Sequence, residues 1–333
     1  MSKSKISVNI TVMKNGVLTK AFLLLALCVL LGLSAKEGWV TKAPMPTPRS
    51  GAVAVVVKDQ IYVIGGYSVK NDHSQVLSVN ERYDPQTDSW KALAPMSRPR
   101  SGAAAAVIDN KIYVIGGVDK DTNFTSLVER YDPETNAWKT VAPMSAPRGV
   151  PAAAVLDGKI YCVGGEAWEH GQRGMLKYLA VNEAYDPGSD KWSMKKPMPS
   201  PRPRPVIVAH GGKIYCIGGG QVNGYVLRTN ERYDPRTDSW EILYPMPTGR
   251  SAAAAGIIDD KIYVFGGYSI RPLNFLSANE AYDIKLNRWS RKLSMPSARA
   301  GMVAAVIKGK VYLIGGYNDK SGFLGSNEQY PLS

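Results

Sequence analysis

The sequence predicts an all-β protein assembled from six copies of one unit, and three periodic features support this prediction. A double glycine recurs at intervals of 51, 48, 54, 48 and 49 residues, from Gly65-Gly66 to Gly315-Gly316. An arginine stands 16 residues before each pair, and a tyrosine stands seven residues before a tryptophan in five copies, as in Tyr131 and Trp138. A fixed period near 50 residues is typical of repeat architectures and governs the interpretation of every local pattern.

Each unit contains four segments with strand character. In the second copy, the small apolar run Ala103 to Val107 precedes a polar turn and then Ile112 to Ile115, whose β-branched and aromatic residues predict a buried strand. The double glycine ends this strand, because glycine tolerates the backbone angles needed where strands crowd together. A variable loop follows, which we call the b–c loop because it joins the second and third strands. An Asp-Pro turn then separates the strand of Tyr131 from the strand of Trp138.

The arginine, the double glycine and the Tyr/Trp pair together resemble the Kelch repeat, over residues 39–330. The resemblance implies a six-bladed β-propeller in which each unit forms a blade of four antiparallel strands. Trp39 begins an outermost strand with no preceding blade, and Tyr330 ends a third strand with no tryptophan strand after it. We therefore expect the N-terminal strand near Trp39 to pair with the last blade and close the ring, which removes an unpaired sheet edge.

The first 35 residues have the features of a secretory signal peptide, which divides the chain into a signal at 1–35 and a propeller at 36–333. They contain four lysines and no acidic residue, and the apolar run Ala21 to Leu33 ends in Ser34-Ala35. Met13 is a possible true start, because the segment that follows it forms a compact signal by itself. We expect a secreted, periplasmic or cell-surface protein that does not span the membrane after cleavage; a membrane anchor formed by an uncleaved signal is the alternative.

The chain is basic, with a formal net charge of +13 that falls to +9 without the four N-terminal lysines. A positive surface favours anionic partners such as acidic peptides or acidic glycans. Export and the absence of a basic motif with interleaved aromatic residues argue against nucleic acid. We expect a monomer.

Each unit carries one arginine and one glutamate at fixed positions, and both types would be costly to bury alone. The glutamate shares a strand face with the third-strand tyrosine, so we predict structural Arg–Glu pairing within or between blades, with an arginine-lined pocket mouth as the functional alternative. The predicted structural residues are Arg49, Arg100, Arg148, Arg202, Arg250, Arg299, Glu81, Glu129, Glu183, Glu231, Glu280 and Glu328.

Cys162 and Cys216 occupy the same second-strand position in the third and fourth units. Stacked sheets lie about 10 Å apart, whereas a disulfide requires Cα atoms within about 7 Å, so free buried thiols are predicted. The three histidines neither recur nor cluster, and no cofactor or metal site is predicted. The alternating oxygens that begin at Asp119 lack the glycine and the distal glutamate of a calcium loop and predict an ordinary polar loop.

The resemblance implies a ligand pocket built from residues just after the double glycine and just after the repeat arginine. In this sequence those residues are Tyr67, Asp119, Trp168, Gln221, Tyr268 and Tyr317, together with Ser50, Ser101 and Ser251. Three units depart from the second set and carry Gly149, Pro203 and Ala300. The third b–c loop is a separate candidate, because tryptophan stacks on sugars and arginine binds carboxylates; it contains Trp168, Glu169, His170, Arg173 and Tyr178.

These features predict a non-catalytic, exported Kelch-repeat recognition module that binds an anionic peptide, protein or glycan at the b–c loop face. The alternative is an enzyme, because exported six-bladed Kelch-type proteins include a sialic-acid mutarotase (N-acetylneuraminate epimerase). The catalytic residues of that enzyme have no identified counterparts here, so this alternative rests on fold analogy. A central pocket in which a carboxylate and an arginine converge, with a perturbed titration, would favour the enzyme.

Overall fold

Six sheets of four antiparallel strands form the protein. The structure, a computed structural model, describes residues 38–331 except 71, 170–171, 222–223 and 271–272. The proposed signal peptide at 1–35, its alternative start at Met13 and the candidate His170 lie outside the described residues. No helix in the described part of the chain is long and apolar enough to cross a membrane.

Every regular element named here is a β-strand. In chain order the strands are β1 Val40–Lys42, β2 Val53–Val57, β3 Gln60–Ile64, β4 Tyr67–Lys70, β5 His73–Val76, β6 Asn80–Asp84, β7 Ser89–Leu93, β8 Ala104–Ile108, β9 Lys111–Ile115, β10 Val128–Asp132, β11 Ala137–Val141, β12 Ala152–Leu156, β13 Lys159–Val163, β14 Glu166–Trp168, β15 Leu176–Tyr178, β16 Asn182–Asp186, β17 Lys191–Lys195, β18 Val206–His210, β19 Lys213–Ile217, β20 Asn230–Asp234, β21 Ser239–Leu243, β22 Ala254–Ile258, β23 Lys261–Phe265, β24 Tyr268–Ser269, β25 Asn274–Phe275, β26 Asn279–Asp283, β27 Arg288–Lys292, β28 Val303–Ile307, β29 Lys310–Ile314, β30 Tyr317–Asn318, β31 Gly322–Phe323 and β32 Asn327–Tyr330.

The sheets are the six blades of a propeller, which confirms the predicted fold class. Blades 1 to 5 have the strand orders β2-β3-β6-β7, β8-β9-β10-β11, β12-β13-β16-β17, β18-β19-β20-β21 and β22-β23-β26-β27. Their first strands contact one another in a closed cycle, β2 with β8, β8 with β12, and onward through β18, β22 and β28 back to β2. The first strands therefore surround the axis, and the remaining strands of each blade lie progressively further out. Short hairpins in the b–c loops, such as β4–β5 and β14–β15, stand apart from the blades.

Blade 6 is closed by the N-terminal strand, as predicted. Its strand order is β28-β29-β32-β1, and β1 pairs antiparallel with β32, Thr41 opposite Glu328. The Trp39 ring lies 5.0 Å from that of Tyr330, centroid to centroid, and 5.9 Å from that of Phe265 in blade 5. Trp39 Nε1 also donates a hydrogen bond of 2.7 Å to the Ser294 carbonyl. In blade 6, therefore, the tryptophan and the tyrosine of the repeat pair come from opposite ends of the described chain.

The hydrophobic core lies between neighbouring blades. The second strand of each blade is buried along nearly its whole length, as in the Ile112 to Ile115 segment of β9. The repeat tyrosines pack on their tryptophans, with ring centroids 4.9 Å apart for Tyr131 and Trp138. Because aromatic side chains bury large areas and prefer tilted contacts, these pairs hold the third and fourth strands together.

Each repeat arginine connects two blades. The Arg100 carbonyl accepts a 2.9 Å hydrogen bond from the Gly66 amide of blade 1, while its side chain pairs with Glu129 of blade 2. All six arginines are at most 1% exposed, and each pairs with the glutamate of its own unit. The N–O distances are 2.5 Å for Arg49–Glu81, 2.5 Å for Arg100–Glu129, 2.6 Å for Arg148–Glu183, 2.7 Å for Arg202–Glu231, 2.7 Å for Arg250–Glu280 and 2.8 Å for Arg299–Glu328.

The two described cysteines are free and fully buried, as the sequence predicts. Cys162 Sγ lies 3.7 Å from Met144 Sδ, and Cys216 Sγ lies 3.6 Å from Met198 Sδ. Burial raises the pKa of both thiols, because the apolar surroundings disfavour the charged thiolate. They therefore act as small hydrophobic side chains within the blade interfaces.

Candidate functional site

A cavity of about 980 Å³ lies where the b–c loops of blades 1, 2, 3, 5 and 6 converge with the start of blade 4. This volume is at the upper end of the range for small-molecule pockets, about 300–1,000 Å³. Residues from all six units line it, so the cavity lies on the propeller axis. The alanine-rich first strands line a second, smaller space of about 180 Å³.

Six equivalent residues, each two positions after a repeat arginine, form what we call the central ring of the cavity. All six line the cavity and have left-handed backbone angles, with φ between 44° and 65°. The amide of Arg204 donates to the Val150 carbonyl at 3.0 Å, and that of Val150 donates to the Gly102 carbonyl at 2.7 Å. The chain of bonds continues through Gly51 and Gly301 to Ala252. The complete ring is Gly51, Gly102, Val150, Arg204, Ala252 and Gly301.

Six of the sequence-predicted ligand residues line this cavity, which places them within reach of one bound molecule. They are Tyr67, Trp168, Tyr268, Tyr317, Ser50 and Ser101. Backbone pairing explains why they meet. The first residue after the double glycine pairs with the residue after the repeat arginine, as Tyr67 does with Ser50 and Tyr268 with Ser251.

The other four predicted ligand residues lie away from the cavity lining. Asp119 Oδ1 accepts hydrogen bonds from the amides of Asp121 and Asn123, so it stabilises its own polar loop. Arg173 donates to Asn123 Oδ1 and joins the b–c loops of blades 2 and 3. The Gln221 amide bonds within its own loop, and Ser251 is only 1% exposed.

Aromatic rings form two walls of the cavity. One wall crosses blades 1, 6 and 5, with centroid distances of 5.4 Å for Tyr67–Phe323, 5.1 Å for Tyr317–Phe323 and 5.7 Å for Phe275–Tyr317. The other wall is the pair Phe124–Trp168 of blades 2 and 3, 5.0 Å apart. Such surfaces stack on the apolar faces of sugars, aromatic groups or peptide side chains.

Two charged residues that sequence reasoning missed also line the cavity: Glu166 of blade 3 and Arg204 of blade 4. Glu166 is the first residue after its double glycine, the position that Tyr67 occupies in blade 1, and a uniform offset from the glycines would have found it. Arg204 stands two residues after a repeat arginine, between Pro203 and Pro205. It is a charged residue at a position that is otherwise glycine, alanine or valine.

Two side chains at this charged side of the cavity have raised pKa values. Burial raises the pKa of the Glu166 carboxyl, and the charge of Arg204 opposes that shift without cancelling it. Burial, followed by the nearby Glu166 carboxylate, raises the pKa of the Tyr178 hydroxyl. Tyr178 stands directly opposite Glu166 in the β14–β15 hairpin. A carboxyl and a guanidinium therefore share one side of the cavity, and the Tyr178 phenol lies close to both without lining it.

Metal-binding groups are sparse in the described chain. Its residues contain no cluster of three or more His, Cys, Asp or Glu side chains that could hold a metal ion. His210 pairs with Asp260 of blade 5 at 2.7 Å, and neither residue lines the cavity. The described cavity therefore offers aromatic, hydroxyl and opposite charged groups to a ligand.

Comparison with known proteins places this geometry in context. The family model described as the KLHDC2/KLHL20/DRC7 Kelch-repeats domain matches residues 34–219 and 206–330. Kelch-like protein 26 of Danio rerio is 34% identical over 96 residues, 28% of this chain and 16% of that protein. Beta-scruin of Limulus polyphemus is 32% identical over 193 residues, 58% of this chain and 15% of that protein. Kelch-like protein 35 of Mus musculus is 30% identical over 186 residues, 56% of this chain and 30% of that protein.

These matches span less than a third of each relative's own length. Among solved structures, that of YjhT superposes with a TM-score of 0.73 and covers 85% of this chain and 95% of its own. The identity there is 18%, so the likeness concerns the fold alone.

Proposed function

Because the chain belongs to the Kelch-repeat family of β-propellers, we propose that it is a recognition module whose central cavity binds an anionic ligand at the b–c loop face. The observation that carries the proposal is Arg204, an exposed arginine at the wall of an aromatic-lined cavity. A guanidinium binds carboxylates and phosphates through paired hydrogen bonds, and the aromatic walls supply apolar contact.

The ligand is an acidic peptide, an acidic segment of a protein or an acidic glycan. Kelch-repeat propellers typically serve in protein interaction, which supports a polypeptide, whereas the aromatic walls suit a sugar equally well. We further propose that residues 1–35 export the protein, on the basis of their lysines and their apolar run. Fractionation of cells that produce the tagged chain tests the export: retention in the cytoplasm contradicts it.

A combined peptide and glycan array tests the recognition proposal. The protein should bind acidic ligands on the array. The Arg204→Gln variant should not bind them, although its unfolding temperature is unchanged. A matched control is Arg236→Gln, at an exposed arginine in the turn between β20 and β21 of blade 4. Binding that is insensitive to Arg204, or confined to neutral ligands, contradicts the proposal.

A second candidate, a mutarotase for an acidic sugar such as N-acetylneuraminate, is favoured by the convergence of Glu166, Arg204 and Tyr178. Mutarotation needs a base for the anomeric hydroxyl and an acid for the ring oxygen, roles that Glu166 and Tyr178 fit chemically. Anomeric exchange measured by NMR tests this. Exchange that is faster with the protein than without it, and lost in Glu166→Gln, supports the enzyme, whereas binding without faster exchange supports the recognition module.

A further inference from the structure

Glu166 and Arg204 carry opposite charges and line the same cavity, yet they do not pair. Among the described residues, neither side chain has a hydrogen-bonding or ion-pair partner, although the fold pairs its six repeat arginines with glutamates. We propose that the two residues form a proton-coupled carboxylate site: a ligand carboxylate binds Arg204, and Glu166 takes up a proton as the ligand arrives. The inference rests on the proposed function and specifies its ligand and its regulation.

The backbones of both residues are held in place. Glu166 and Gly149 exchange two backbone hydrogen bonds of 2.9 Å, and Glu166 is paired with Tyr178 across the hairpin. Arg204 donates its amide to the Val150 carbonyl at 3.0 Å, and its φ of 54° is a left-handed angle that is uncommon for a residue with a side chain. All six positions of the central ring have such angles, so the ring itself enforces the backbone conformation of Arg204. Both backbones are therefore fixed at the edge of the same cavity, which their unpaired side chains line.

Binding of a carboxylate at Arg204 would raise the pKa of the Glu166 carboxyl. The guanidinium now lowers the pKa of the Glu166 carboxyl, against the larger effect of burial. A ligand carboxylate would add a negative charge within the same cavity and so oppose the influence of the arginine on Glu166. This favours the protonated form of Glu166, so binding and proton uptake assist each other.

The sign of the pH dependence follows from this coupling. Below the pKa of Glu166 in the free protein the carboxyl is already neutral, and a carboxylate ligand meets Arg204 without repulsion. As pH rises above that pKa, each binding event must first take up a proton, so affinity falls by up to tenfold per pH unit. The decline ends above the higher pKa that Glu166 has in the complex.

Among the described groups at this site, only Glu166 is expected to change its protonation in the pH range over which affinity falls. The charged and titratable groups that face Glu166 are Arg204 and Tyr178, and Tyr268 faces Tyr178. Arginine stays charged, and the pKa of Tyr178 is raised further above its ordinary value near 10. The described lining contains no histidine. His170, on the same b–c loop, lies outside the described residues, so a His170→Gln variant serves as a control.

The cavity also indicates the rest of the ligand. The aromatic wall of Tyr67, Phe323, Tyr317 and Phe275 provides an apolar surface in the same cavity as the guanidinium. A compact molecule with one carboxylate and one flat or apolar face satisfies both. 4-Fluorobenzoate is such a probe, and like other carboxylic acids it is ionised well above pH 4.

Fluorine NMR titration of 4-fluorobenzoate from pH 5 to pH 8 tests the proposal on the full chain. We expect the dissociation constant to rise with pH in the unsubstituted protein and to stay constant in Glu166→Gln, with tighter binding than the unsubstituted protein at pH 8. Glu134→Gln, at an exposed carboxylate that does not line the cavity, should keep the unsubstituted slope, and His170→Gln tests whether the histidine of the same loop contributes to it. Calorimetry in two buffers of different ionisation enthalpy, at a pH where the affinity falls with pH, should detect proton uptake that Glu166→Gln abolishes.

The possible failures are distinguishable. Absence of 4-fluorobenzoate binding at every pH, with an unchanged unfolding temperature, overturns the carboxylate site, whereas the proposed function fails only if the array also shows no acidic ligand whose binding depends on Arg204. Binding that depends on Arg204 but has the same pH slope with and without Glu166 overturns the proton coupling alone. A slope that disappears in His170→Gln assigns the titration to the histidine and also overturns it.

Discussion

The rings of Trp39 and Tyr330 pack in a tilted contact, with centroids 5.0 Å apart, although the two residues stand near opposite ends of the described chain. In the other five blades the equivalent rings belong to one hairpin, and their spacing is 4.9–5.2 Å. Blade 6 therefore reproduces the same packing without a connecting turn. Its stability depends on contacts between distant segments rather than on a short loop.

Removal of the Trp39 ring should destabilise the protein. We expect Trp39→Ala to lower the free energy of unfolding by about 3 kcal/mol, because a partly buried aromatic contact with Tyr330 and Phe265 is lost. Chemical denaturation followed by fluorescence or circular dichroism measures the change. Val40→Ala, at a neighbouring residue that is 44% exposed, should cost less than about 0.5 kcal/mol. Equal effects of the two substitutions would contradict closure through Trp39.

Loss of one partner of a buried Arg–Glu pair should be costly. Glu129 accepts from Arg100 at 2.5 Å and also from the Ser97 hydroxyl, and both charged side chains are 1% exposed. We expect Glu129→Gln to cost about 3 kcal/mol or more, since it leaves the Arg100 charge buried without compensation.

The surface pair Lys58–Glu134 supplies the control for this prediction. Its atoms are 3.1 Å apart, but the side chains are 63% and 64% exposed. Glu134→Gln should therefore change the unfolding free energy by less than about 0.5 kcal/mol in the same denaturation experiment. A cost of Glu129→Gln as small as that of Glu134→Gln would show that the repeat pairs do not hold the blades together.

Arg204 should matter for binding and not for folding. Arg204→Gly places at this ring position the residue that Gly51, Gly102 and Gly301 provide elsewhere, and glycine adopts the left-handed angle without strain. We expect the unfolding free energy to change by less than about 1 kcal/mol. Binding of 4-fluorobenzoate should weaken at least about tenfold, the effect of losing one hydrogen bond to a charged group.

Lys58→Gly provides the matched comparison, because Lys58 has a similar φ of 49° in an exposed turn away from the cavity. It should reproduce the backbone effect and retain full binding. If Arg204→Gly unfolds the protein, or if both variants bind equally well, Arg204 does not have the role assigned to it.

The sequence was sufficient for the fold because the repeat is a strong signal in every copy. The blade count, the order of strands within a blade and the pairing of β1 with β32 follow from the spacing of Gly65, Tyr83 and Trp90 and from the half units at the ends. The buried thiols follow from the shared strand position of Cys162 and Cys216. Each of these features follows from a pattern that the repeats share.

The site was only partly predictable, because ring closure brings together residues about 50 positions apart that share no local pattern. Tyr67, Tyr268 and Tyr317 were found because they directly follow the glycines. Glu166 was missed although it directly follows its double glycine, because the ligand residue predicted for that unit is Trp168. Arg204 was missed because the other units have glycine, alanine or valine at its position, and only the geometry of the ring shows that both residues line one cavity.

The uneven distribution of side chains around the central ring has a consequence for ligand orientation. A sixfold propeller with six identical linings would bind a ligand in six equivalent orientations about its axis. Here the ionic groups come from blades 3 and 4, and the longer aromatic wall comes from blades 5, 6 and 1. Because the charged and aromatic groups lie on different sides, the six orientations are no longer equivalent. A bound molecule therefore adopts one orientation about the axis of a nearly symmetric propeller.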